Sequence, residues 1–76
     1  MRKMIKATPR EDYFVEILLE NGNSIIIGLK EKLRTVRFSM LRDQDYFNQV
    51  VTDGIFLRWN CKIEISFNEI LQWLTQ

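Results

Sequence analysis

Apolar and polar positions alternate in two neighbouring runs, DYFVEILLE from Asp12 to Glu20 and SIIIGL from Ser24 to Leu29. Asn21-Gly22 between them is a hairpin turn signal. Two registers compete. A two-residue Asn-Gly loop sets Ile17 across from Ile26 and leaves both faces mixed. A three-residue loop, Glu20 to Gly22 with Gly22 left-handed, sets Tyr13 opposite Leu29, Val15 opposite Ile27 and Ile17 opposite Ile25. That register collects one continuous apolar face. A slip of one residue exchanges the faces, so burial selects the three-residue loop. The C-terminal helix is the expected cover for this face.

The opposite face then holds Phe14, Glu16, Leu18, Ser24, Ile26 and Gly28. A sheet face left to water should alternate to polar residues. This one keeps Phe14, Leu18 and Ile26. Either the segment from Lys30 to Arg42 folds over them with Leu33, Val36 and Phe38, or a second subunit or partner covers them. The second case would bury on the order of 800 Å² per partner.

The second hairpin poses the same choice. IFLRW and KIEIS flank Asn60-Cys61. A three-residue loop, Asn60 to Lys62, aligns Trp59 with Ile63 and Leu57 with Ile65, and sets Arg58 opposite Glu64. A two-residue loop would set Leu57 against Glu64, so the longer loop again gives the coherent face. Phe56 falls on the outer face of this hairpin. Upstream, KMIKAT makes a short strand ended by Pro9. Residues 30–42, KEKLRTVRFSMLR, carry no clean period and read as a loop or broken helix packing through Leu33, Val36, Met40 and Leu41. Asp43 caps a short helix, QDYFNQV, with Phe47 and Val50 inward. Ser66 and Glu69 fit a reciprocal capping box. Phe67, Ile70, Leu71 and Leu74 follow at helical spacing, with Trp73 at the edge of their stripe. The expected fold class is α+β: a small antiparallel sheet of two hairpins plus an N-terminal strand, a short middle helix and a C-terminal helix. Residues 1–76 read as one small domain.

Composition narrows the chemistry. The 76 residues are 46% hydrophobic and 28% charged, a globular balance, with a formal net charge of +1. Attraction to nucleic acid or an anionic membrane is then not a property of the whole molecule. There is no histidine, so the commonest general base and metal ligand is missing. The single cysteine, Cys61, has no imidazole to activate it and reads as a turn thiol. Cys61→Ser is expected to leave fold and function intact. Asp43-x-Asp45 starts like a calcium loop but continues with Phe47 and Asn48 where a further ligand and Gly belong. Asp12, Glu16 and Glu20 are spaced too far along a strand for paired acid–base work and read as a solvated edge. Gly22, Gly28 and Gly54 form no phosphate-cradling loop, and Gly28 inside a strand suggests a bulge. No catalytic residue, metal or cofactor is implied. A single cysteine, an N-terminus without a signal peptide's apolar core, and the absence of any apolar run near 20 residues point to a cytoplasmic protein with no membrane association.

The order of these motifs resembles a known family. DYFVEILLENGNSIIIGL, VRFSMLRDQDYFNQVVTDG and IFLRWNCKIEIS are similar to the bacterial domain-of-unknown-function family 2442. In that family a Phe-x-x-Leu-x-Asp stretch precedes a helix carrying a Phe, matched here by Phe38, Leu41, Asp43 and Phe47. A Trp then opens a turn, matched by Trp59, and a helix with Leu follows, matched by Leu71. The likeness covers almost the whole chain. It departs at the turn after the Trp, where members carry Pro-Asn-Gly and this chain has Asn60-Cys61. The resemblance implies a small bacterial α+β domain and partnership with another small protein of toxin–antitoxin type; it transfers no catalytic residues.

Two functional readings follow. The first is a protein-interaction module, pairing with another protein or with itself, with Phe14, Leu18, Ile26, Phe56 and Trp73 as the candidate interface. The second is a nucleic-acid-binding domain that uses the basic run Lys30, Lys32, Arg34, Arg37 and Arg42, opposed only by Glu31. An enzyme is a distant third, because catalysis needs converging polar groups in a pocket.

Overall fold

The computed structural model describes residues 3–75. Its strands are β1 (Met4–Pro9), β2 (Phe14–Leu19), β3 (Ser24–Gly28), β4 (Val51–Thr52), β5 (Phe56–Trp59) and β6 (Ile63–Ser66). Its α-helices are α1 (Gln44–Phe47) and α2 (Phe67–Leu74). The α+β class is as expected. The single sheet is not: the strands form two three-stranded antiparallel sheets, ordered β1-β2-β3 and β4-β5-β6. Each hairpin has one of its two edges filled by its own third strand, β1 beside β2 and β4 beside β5, and the two hairpins do not pair with each other. The sheets meet where the Met4 N–H donates to the Gly54 carbonyl at 2.9 Å.

Both hairpins adopt the three-residue register. Val15 pairs with Ile27 and Ile17 with Ile25. The Leu19 N–H donates to Asn23 O, the Gly22 N–H donates to Leu19 O, and Gly22 has φ +89. A left-handed third loop residue is what this turn requires, and glycine supplies it without a Cβ clash. In the second hairpin Trp59 pairs with Ile63, Leu57 with Ile65 and Arg58 with Glu64. Here the left-handed residues are Asn60 (φ 50) and Cys61 (φ 59). Asparagine tolerates that region, but cysteine there costs about 1–2 kcal/mol. Cys61→Gly is therefore expected to raise stability by up to about 1 kcal/mol once glycine's extra freedom in the unfolded chain is subtracted. Cys61→Ser, at an exposed position and with the same single γ atom on an unbranched Cβ, should change little. Urea midpoints of the three proteins check this; a Gly variant weaker than wild type would refute it.

The core is one cluster drawn from both sheets and the segment between them, including Val15, Ile17, Leu29, Leu41, Phe47, Leu57, Trp59, Ile65 and Ile70. Phe47 stacks edge-on to Tyr13, with centroids 5.2 Å apart, and lies 6.2 Å from Trp59. The ring shown over the inner face of the first hairpin at Tyr13 thus comes from α1 rather than from the C-terminal helix. The Trp59 indole N–H donates to Phe47 O at 2.9 Å, and the Tyr46 hydroxyl donates to Trp59 O at 3.0 Å. These bonds tie α1 to β5.

The middle segment forms two 3-10 turns, Lys30–Arg34 and Ser39–Arg42. Leu33, Phe38 and Leu41 enter the core, but Val36 is 94% exposed and Met40 46% exposed, against the packing expected of them. Asp43 caps α1 by accepting the Asp45 N–H, and the helix stops at Phe47 rather than running on to Val50, which is still buried. Ser66 caps α2 by accepting the Glu69 N–H at 3.1 Å. The reciprocal half of the capping box is not made: Ser66 is the last residue of β6, and the Glu69 carboxylate goes to Arg37. Phe67 and Ile70 are buried, whereas Leu71 and Leu74 are largely exposed, because α2 meets the core along one narrow side.

Candidate functional site

The outer face of the N-terminal sheet is the surface the alternation singled out. Phe14 is 42% exposed and Ile26 60% exposed. The segment from Lys30 to Arg42 does not cover them, because Leu33 and Phe38 turn into the core and Val36 into solvent. Phe14 pairs with Gly28 across the hairpin, and its ring occupies the space a glycine leaves: a Cβ on residue 28 would lie 2.9 Å from Phe14 Cε1. Gly28 is thus a seat for an aromatic ring, not the bulge expected; the bulge lies in β1, between Met4 and Lys6.

Phe14 stands between two shallow depressions. One is lined by Arg10, Glu11, Phe14, Glu16 and Ile26, the other by Asp12, Phe14, Gly28, Lys30, Glu31 and Lys32. Two ion pairs lie around them. Arg10 bridges Glu16, and Lys30 Nζ lies 2.9 Å from Asp12. An apolar centre with a charged, solvated rim is the anatomy of a protein contact surface.

The turn that presents Phe14 is strained. Asp12 (φ 61) and Tyr13 (φ 64) are both left-handed, so Asp12 precedes the strand instead of sharing a face with Glu16 and Glu20. The surrounding bonds hold it there. The Arg10 N–H donates to Phe14 O at 2.7 Å, and the Tyr13 hydroxyl donates to Arg42 O at 2.6 Å. No sequence signal marked this turn, because two consecutive left-handed non-glycine residues run against local preference.

The remaining candidate residues are dispersed. Leu18 is half-buried on the same face as Phe14. Phe56 belongs to the other sheet, half-buried with the Arg58 guanidinium 5.2 Å from its ring centroid. Trp73 packs edge-on to Phe38, and Lys32 Nζ lies 4.2 Å from its ring centroid. The structure shows no single patch uniting the five.

The basic segment is largely engaged within the chain. Lys30 pairs with Asp12 and Lys32 covers Trp73. Arg42 Nε donates to Leu33 O at 3.2 Å. Arg37 grips Glu69 with both terminal nitrogens, Nη2 at 2.9 Å, and also donates to Glu64 O at 2.7 Å. Among the described residues, Arg34 alone of the five has no such partner.

The Arg37 hydrogen bonds hold the Glu69 carboxyl below its ordinary range, against partial burial, which pushes it up; the charges of Arg37 and Lys32 add to the lowering. Bonding to Glu69 likewise raises Arg37, which stays charged. A lowered carboxyl stabilises the fold above its unfolded value, about 4.3, and that stabilisation is lost as pH falls through the folded value. Both side chains are partly exposed, so the pair is worth no more than about 1 kcal/mol. Wild type should therefore exceed Glu69→Gln in urea midpoint at pH 7, and the gap should close as the pH falls below about 4. Equal midpoints at pH 7 would show that the pair is idle.

No family model matches the chain, and neither a curated protein nor a solved structure matches it. No helix among the described residues is long and apolar enough to cross a membrane.

Proposed function

We propose that the chain is a non-enzymatic protein-interaction module whose contact surface is the outer face of the N-terminal sheet around Phe14 and Ile26. The observation that carries this reading is the uncovered pair of large apolar side chains beside the ion pairs Arg10–Glu16 and Lys30–Asp12. An exposed apolar patch with a polar rim is a recognised mark of interaction sites. The lack of histidine and the shallow depressions with ion pairs around them weigh against catalysis. The resemblance to family 2442 supplies the partner class: another small bacterial protein of toxin–antitoxin type, met in the cytoplasm.

A photoreactive residue at Ile26, compared with one at the more exposed Val36, tests this in the native cell. Adducts to a defined protein from position 26 and none from 36 are expected. Equal labelling, or none from either, would sink the reading. The nucleic-acid alternative is weaker, because four of its five cations are already engaged. Titration of labelled DNA and RNA at low salt, where phosphate contacts are strongest, removes it if no complex forms.

A further inference from the structure

We infer that a second copy of this chain pairs edge to edge with β3, joining two N-terminal sheets across a two-fold axis at Ile26. This rests on the interaction-module reading and adds self-pairing along one edge of that surface.

The argument starts from the backbone. Leu19 N–H bonds Asn23 O, and Leu29 N–H bonds Tyr13 O. In an antiparallel ladder, alternate residues turn their N–H and C=O toward the same neighbour. Asn23, Ile25, Ile27 and Leu29 therefore face β2, and Ser24, Ile26 and Gly28 direct both backbone groups away from it. Among the described residues no strand lies on that side of β3.

Proteins normally blunt such an edge with lysine, proline, a bulge or a covering segment. The opposite edge of this sheet has all of these: Lys6 and the bulge beside it, Pro9 at its end, and Met4 bonded to Gly54 O. β3 has none. Its sequence is SIIIG, without a charge, and it pairs with β2 without a register shift.

The edge is also self-complementary. A two-fold axis at Ile26 sets Ile26 against its own copy and Ser24 against Gly28, each pair exchanging both backbone hydrogen bonds. On the outer face the row through the axis is then Glu16 and Ile26 followed by the same two residues of the second copy, with Phe14 in the adjacent row over Gly28. A five-residue edge buries less than the roughly 800 Å² per partner of a standard interface, which places this pairing in the weak class and calls for high protein concentration.

Sedimentation of the full chain from about 10 µM to 1 mM, with amide exchange at both limits, tests this in the concentration range of weak pairing. Wild type should dimerise, and the Ser24, Ile26 and Gly28 amides should gain protection only as it does. Ile26→Lys sets two ammonium groups against each other and should weaken association on the order of 100-fold. Ile26→Pro removes an outward N–H and spares the ladder to β2, so it should be a folded monomer. A wild type that is monomeric throughout overturns the pairing. So does a dimer that persists in both variants, or one whose three edge amides exchange freely. If the wild type is monomeric yet the photoreactive residue at Ile26 captures a different protein, self-pairing falls and the contact surface stands. If neither occurs, both fall.

Discussion

Trp59→Ala is expected to remove about 3–5 kcal/mol, a large share of the stability of the domain, with far-ultraviolet circular dichroism and urea titration as the readout. Trp59 is completely buried at the end of β5, the middle strand of the C-terminal sheet. Truncating a buried Trp typically costs about 3–5 kcal/mol. A domain of this length has a total stability of roughly 4–11 kcal/mol at 0.05–0.15 kcal/mol per residue. The loss would also strip the Phe47 carbonyl of its indole donor and remove one of the two aromatic neighbours of the Phe47 ring. Phe47 is what covers Tyr13 on the other sheet, so the damage spreads across the junction of the two sheets. Trp59→Phe separates the contributions. It retains most of the volume but orphans the carbonyl, at about 1–3 kcal/mol. A Trp59→Ala protein that loses less than about 1 kcal/mol would contradict the central place given to this side chain.

Hairpin registers were legible in the sequence because the two possible loop lengths give opposite faces, and only one yields an unbroken apolar row. Ile17 against Ile25 and Leu57 against Ile65 follow from that criterion alone. The caps at Asp43 and Ser66 were legible for a similar reason: a short polar side chain stands directly before a helical stripe. The division into two sheets was not, because a strand of two residues, Val51–Thr52, is too short to show a period. The middle segment also defied reading. Phe38 and Leu41 are three apart, the spacing of a 3-10 turn, and a search for the α-helical period passes over it. Of the proposed contact surface, the excess of apolar side chains on one face was readable at Phe14 and Ile26. That Phe56 and Trp73 lie elsewhere was not, since it depends on how the sheets and α2 dock. In the basic run, counting charge along the chain does not show how its cations pair within the fold. Its partners Asp12 and Glu69 come from distant segments, and Glu69 is 32 residues from the arginine it neutralises.

Ile17 and Ile26 form the sharpest test of which hairpin face is core and which is contact surface. They share a residue type and lie on adjacent strands, β2 and β3, but on opposite faces. Ile17 is completely buried in the middle strand, whereas Ile26 is 60% exposed. Ile17→Ala should cost about 2–5 kcal/mol, because it opens a cavity between the sheet and the segment packed on it. Ile26→Ala, measured at low protein concentration so that association does not intervene, should stay within about 0.5 kcal/mol of wild type. Charged variants widen the contrast. Ile17→Glu would place a carboxylate among Val15, Leu29 and their neighbours with no partner, and should not fold. Ile26→Glu should melt like wild type. A two-residue loop would bring Ile26 opposite Ile17 and bury both, and the two alanine variants would then lose comparable stability. Comparable losses would therefore refute the register, and with it the exposed surface on which the interaction reading and the β3 pairing both depend.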